Sequence, residues 1–95
     1  MKVLILKLIL HIPYSQSLKD KRNVVRTLKD RIWSRFRVAI AEVESQDSIR
    51  EAILGICCCS NDRVLLEGIM NKIVTFIDNT YPSLLYDSNY IIETY

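Results

Sequence analysis

Ten residues near the start of the chain limit the fold more than any others. In Val3 to Ile12, Leu4, Leu6, Leu8, Leu10 and Ile12 alternate with Val3, Ile5, Lys7, Ile9 and His11. Side chains on a strand alternate between faces, so one face of this segment is wholly apolar and the other mostly so. That pattern belongs to a central strand, covered fully on one side and in part on the other. Pro13 then ends ladder pairing. The segment begins like a secretory leader, but Lys7 splits the apolar run and no small-residue cleavage site follows. It is also too short to cross a bilayer. The expected location is therefore the cytoplasm, with no membrane partner.

The remaining elements must pair with that strand or cover it. Ser17 is a good helix N-cap, with Asp20 three residues on in a capping-box position. Leu18, Val25, Leu28, Ile32 and Phe36 then form one apolar stripe, predicting an amphipathic helix to about Arg35. Val38 to Val43 reads as a strand, Glu44 to Ser48 as a hairpin bend, and Ile49 to Cys59 as a third strand. Gly55 inside that strand signals a bulge or a close backbone approach. Ser60-Asn61-Asp62 is a run of cap formers before a second helix. Leu66, Ile69, Ile73, Phe76 and Ile77 are its buried stripe, with Gly68 inside it for close approach to the first helix. Tyr81-Pro82 closes that helix. The tail from Leu84 to Tyr95 reads as one strand broken at Asp87-Ser88-Asn89.

The order is β-α-β-β-α-β. Two helices must cover one face of a single four-stranded antiparallel sheet, because nothing else is available to cover it. With right-handed crossovers this is an α+β, ferredoxin-like βαββαβ sandwich. Ninety-five residues make a single domain, 1–95, with one modest core. Val3, Ile5 and Ile9 fall on the helix-free face, which is expected to meet another chain as a homo-oligomer interface.

Net charge is only +2, but its distribution is lopsided. Residues 1–37 hold ten Lys/Arg against two Asp, and residues 38–95 hold three Lys/Arg against nine Asp/Glu. The basic half calls either for an anionic partner or for neutralisation by the acidic half. On a helical wheel Lys19, Arg22, Arg26, Lys29, Trp33 and Arg37 fall within about 80° of one another, beside the buried stripe. Lys21 adds a further cation at the helix N-terminus, itself a positive end. Cations at such intervals suit phosphate contacts, and an aromatic ring in line can stack on an unpaired base. The competing reading is a solvated face whose cations pair with Glu42, Glu44 or Glu67, with Trp33 packed at the edge of the core.

Catalytic chemistry is thinly represented. His11 lies near the hydroxyls of Tyr14, Ser15 and Ser17, but no acid adjoins it in sequence to orient it, so a structural His is expected. Cys57, Cys58 and Cys59 are consecutive, without CxxC spacing, and read as small apolar filler rather than as disulfide or metal ligands. No metal or cofactor is expected. Asn61, Asp62 and Arg63 are most simply a helix cap, and no glycine-rich phosphate loop exists.

The segments H-I-P-x-S-x-S-L-K-x-K-R at 11–22, A-E-V at 41–43, Q-D at 46–47, L-G at 54–55 and S-N-D-R at 60–63 resemble the YlxP-like family of small bacterial proteins. The resemblance covers nearly the whole chain. It implies a ferredoxin-like fold and no assigned activity. Genes of such proteins often lie near translation and ribosome-maturation genes, which implies an RNA-linked role. Two positions depart from the pattern. Ile49 stands where a tryptophan is expected, so no aromatic contact is expected near the hairpin, and Cys57 to Cys59 stand where plain aliphatics are expected. Together these readings point to a non-enzymatic accessory protein binding RNA or ribosomal particles. A homo-oligomerising interaction module is the alternative.

Overall fold

A computed structural model describes all 95 residues. Its elements are β1 (Lys2–His11), α1 (Leu18–Phe36), β2 (Ala39–Glu44), β3 (Glu51–Ser60), α2 (Arg63–Thr80) and β4 (Leu85–Thr94). The strands form one antiparallel sheet in the order β2-β3-β1-β4. This is the ferredoxin-like βαββαβ arrangement, with the two most apolar strands in the centre.

β1 pairs with β3 without interruption from Lys2↔Ser60 to His11↔Glu51. Leu4, Leu6, Leu8, Leu10 and Ile12 are buried under the helices, together with Ala52, Leu54 and Ile56 of β3. Val25, Leu28 and Ile32 of α1 and Leu66, Ile73 and Ile77 of α2 close the core from above. Each of these large side chains contributes roughly 1.5–3 kcal/mol by leaving water. Phe36 and Phe76 meet edge to face with ring centroids 5.8 Å apart, where the two helices touch.

Both helix starts follow from their caps. The Ser17 hydroxyl accepts the Asp20 N–H at 3.0 Å, and the Asp20 carboxylate accepts the Gln16 N–H at 3.0 Å. Asp62 accepts the N–H groups of Val64 and Leu65. At the other end of α1, Arg37 takes a left-handed conformation, φ 55°, and donates its N–H to the Trp33 carbonyl.

Gly55 serves a close approach. A side chain there would meet Val43 Cγ1 at 2.8 Å, where β2 carries an irregularity between Glu42 and Glu44. Two expectations need correcting. Nothing lies within 4 Å of the position a Gly68 side chain would take, so that glycine serves no helix contact. β4 is also unbroken through Asp87-Ser88-Asn89, because an edge strand needs only one paired side and leaves those polar side chains to water. The irregularity lies one residue earlier, where Tyr86 is the extra residue between the Ile9↔Asp87 and Leu10↔Leu85 pairs. No helix is long and apolar enough to cross a membrane.

Candidate nucleic-acid interface

Helix α1 has three flanks. Its core flank carries Val25, Leu28 and Ile32. A second turns toward α2, where the Arg31 guanidinium lies 5.6 Å from the Tyr81 ring centre and that of Arg35 lies 5.0 Å from the Phe76 ring centre. The third, on the side away from α2 and along edge strand β2, carries Lys19, Arg22, Arg26, Lys29, Trp33 and Arg37. All six are exposed except Lys29, which is half-buried. Trp33 keeps 53% of its surface in water rather than packing at the core edge. The Arg37 guanidinium covers one face of its ring at 4.4 Å. That leaves a charged, planar platform at the C-terminal end of the stripe.

The three glutamates expected to neutralise this flank are committed elsewhere, while Asp30 on α1 itself forms no ion pair. Glu42 binds Lys21 at 2.9 Å, Glu44 binds Lys7 at 3.2 Å and Glu67 binds Arg63 at 3.0 Å. None of the five stripe cations takes part in an ion pair. The one polar contact among them is Arg26 donating to Asn23 Oδ1 at 3.1 Å. The expected pairing of the stripe with Glu42, Glu44 or Glu67 is therefore not what the fold adopts.

Lys21 leaves the set of nucleic-acid contacts. It is fully buried, and its ammonium donates to Glu42 Oε2 at 2.9 Å and to the carbonyls of Ser45, Gln46 and Glu51 at 2.8, 3.1 and 3.2 Å. No phosphate can reach it. The signal was legible on the wheel, since Lys21, Val25, Leu28 and Ile32 share one heptad-like register and Lys21 fills the gap between Leu18 and Val25. A lysine in a core register needs internal acceptors, and the β2–β3 bend supplies them.

His11 gains the partner that its sequence neighbours lack. The β1–β3 register sets it opposite Glu51, with Nε2 3.6 Å from Oε1. Its ring stacks on Tyr86 at 4.0 Å and 16°. Glu51 also accepts the Ser45 hydroxyl at 2.9 Å. The carboxylate thus stands between imidazole and hydroxyl, so the hydroxyl proton points at Glu51. The imidazole therefore does not contact the hydroxyl, and the polar partner of each is the carboxylate. The thiols of Cys57 and Cys59 open onto the helix-free face of the sheet, and Cys58 lies on the helix side. Burial, then the neighbouring Cys57 and Cys59 charges, pushes the Cys58 thiol above its ordinary range. No three His, Cys, Asp or Glu side chains converge as a metal site.

Val3, Ile5 and Ile9 lie on the helix-free face as expected, with Ile5 exposed and the other two half-buried. Around them are Ala39, Ala41, Val43, Ile53, Gly55, Cys57 and Ile91.

Compared with known families, residues 3–90 match the family described as Protein of unknown function (DUF503). The chain belongs to the DUF503 family. The uncharacterized protein YlxP of Bacillus subtilis (strain 168) is 35% identical over 68 residues, covering 72% of this chain and 73% of that protein. Membership of DUF503 brings the YlxP-like resemblance and no assigned activity. Among solved structures, Rv0793 from Mycobacterium tuberculosis superposes with a TM-score of 0.58 at 17% identity, over 100% of this chain and 95% of that one. SnoaB, a cofactor-independent oxygenase from Streptomyces nogalater, superposes with a TM-score of 0.52 at 9% identity, over 99% and 92%. At such identities the likeness concerns the fold alone.

Proposed function

We propose that this DUF503 protein is a non-enzymatic RNA-binding accessory protein of the cytoplasm, acting on the ribosome or its precursors through the outer flank of α1. Lys19, Arg22, Arg26, Lys29 and Arg37 contact phosphates, and Trp33 offers a ring to an unpaired base. One observation carries the reading. Five cations share a single flank, none of them is in an ion pair, and Glu42, Glu44 and Glu67 are each bound to another cation. Such a surface concentrates positive potential and attracts a polyanion. The stripe runs for about 27 Å at 1.5 Å per residue, enough to follow a strand backbone rather than to hold one phosphate.

The Arg37–Trp33 stack sets a condition on binding. One ring face is covered. A base stacks on the open face, or displaces Arg37 onto a neighbouring phosphate.

Five phosphate contacts predict that log K falls with log salt at a slope of about −3.5 on single strands, so affinity drops roughly a hundredfold between 50 and 200 mM salt. The test is fluorescence anisotropy with a labelled single-stranded RNA. Arg22→Glu, Arg26→Glu and Lys29→Glu together abolish binding. Binding at moderate salt that survives the triple change refutes the proposal. On cell extracts, the protein co-sediments with ribosomal particles and is stripped from them by about 0.5 M salt, where charge screening is nearly complete.

A further inference from the structure

The sheet face opposite the helices differs chemically from α1. Its centre is apolar and exposed, with Ile5 at 45%, Val43 at 45% and Ile91 at 53%. Ala39, Ala41 and Gly55 leave a hollow of about 400 Å³ beside Ile5, Val43 and Cys57. Lys7 is the only Lys or Arg on this face, and Glu44 holds it. Asp87 and Glu93 stand on its β4 side without an ion-pair partner. A polyanion has nothing to bind here, so the occupant must be largely apolar at its centre.

We infer that the occupant is a second copy of this chain, packed sheet to sheet. The inference is independent of the RNA reading, which uses the other side of the molecule. Two features favour a like partner. The first is size. Thirty-six strand residues at about 3.3 Å rise and 4.8 Å spacing cover roughly 570 Å², so two copies bury about 1,100–1,200 Å² before pleating adds more, close to the lower bound of stable interfaces.

The second feature is shape. The register places Ala39, Cys57, Ile5 and Ile91 in one row across the four strands. In that row the small residues lie on β2 and β3 and the large ones on β1 and β4. A two-fold axis parallel to the strands, between β3 and β1, sets β4 of one copy over β2 of the other. Ile91 then comes over Ala39 and Ile5 over Cys57, large on small in both copies at once. The twist of each sheet opens the crossing to about 30° without undoing that match. By the same register Asp87 comes over Glu44, and Lys7, which holds Glu44, is the one Lys or Arg on the face to set between the two carboxylates. In such a dimer both α1 flanks remain outward.

Sedimentation velocity tests the inference, with native thiols as reporters. The wild-type chain, 11.1 kDa as a monomer, is expected to sediment as a dimer at ~200 µM and to dissociate on dilution by mass action. Raising the salt to about 0.5 M should not dissociate it, because its contacts are apolar; the same salt removes RNA, so the two proposals fail separately. Ile5→Lys, at an exposed position, should weaken the dimer at least ~100-fold by burying an unpaired charge. Ala41→Glu, on the edge strand, should do the same and guards against a folding defect in the first variant; circular dichroism confirms that each is folded. Maleimide labelling of Cys57, read by peptide mass spectrometry, should be slower in the dimer than in Ile5→Lys at equal concentration. A wild-type chain that stays monomeric at ~200 µM overturns the inference. So does a dimer that persists in both folded variants with Cys57 labelled equally fast.

Discussion

Replacing Lys21 with methionine removes one ammonium and leaves four acceptors behind. Three are backbone carbonyls, of Ser45, Gln46 and Glu51, and the fourth is Glu42 Oε2. The lysine side chain is fully buried and that of Glu42 is 18% exposed. Removing one partner of a buried pair costs roughly 3–5 kcal/mol, since the remaining charge is stranded. Water reaches Glu42 in part, and methionine packs the lysine stem's space well, so a loss near the lower end, about 3 kcal/mol, is expected. Urea unfolding reads this as a midpoint lowered by about 2 M for an m-value near 1.5 kcal/mol/M. Thermal unfolding reads it as a fall of roughly 12–24 °C for a domain of this size.

The double variant Lys21→Met/Glu42→Leu should recover at least ~1 kcal/mol, because no carboxylate is then stranded. Full recovery is not expected, since three carbonyls still lack the ammonium. Those carbonyls flank the bend where Ser45 holds φ at 62°, so the bend should also lose protection in hydrogen exchange. Lys21→Arg should not substitute, because a planar fork cannot serve acceptors arranged around a point charge. A loss below ~1 kcal/mol for Lys21→Met would refute the reasoning, as would a double variant no more stable than the single. Where Lys21→Met still folds, its RNA affinity should match the wild type, whereas Arg26→Glu should weaken binding. Those two outcomes separate the buried lysine from the exposed stripe.

Gly55→Ala places a methyl group 2.8 Å from Val43 Cγ1, so it should cost roughly 1–3 kcal/mol in urea unfolding and be partly rescued by Val43→Ala. Alkylation of the three thiols by iodoacetamide near pH 8 should label Cys57 and Cys59 before Cys58, whose thiol is held protonated by burial and by its neighbours' charges. The folded chain holds that proton longer than the unfolded one, so this thiol's contribution to stability is present below the ordinary thiol range and lost as pH rises from that range through the raised value of the folded chain. A midpoint that rises with pH across that range contradicts the assignment.

Much of the architecture was legible in the chain's periodicities. The alternation in Val3–Ile12 marked the central strand and named its buried face, and every residue named for that face is buried. The caps at Ser17 and Asp62 fixed the two helix starts through local hydrogen bonds. Gly55 announced a close approach without naming Val43. All these signals are local, because which way a side chain faces depends on the repeat of its own element.

What the tertiary structure alone decided is which polar groups meet. Lys21 finds acceptors 21 to 30 residues away, and His11 finds Glu51 only through the β1–β3 register. The same docking commits Glu42 to the buried Lys21, Glu44 to Lys7 and Glu67 to Arg63, and leaves the outer flank of α1 without an ion pair. β4 runs through three polar residues because β1 supplies a ladder for it, and Gly68 lacks a helix neighbour because Phe36 and Phe76 meet elsewhere between the helices. Charge pairing acts over a few ångströms between elements that only the folded chain brings together, and a helical wheel shows one flank without showing what stands opposite it.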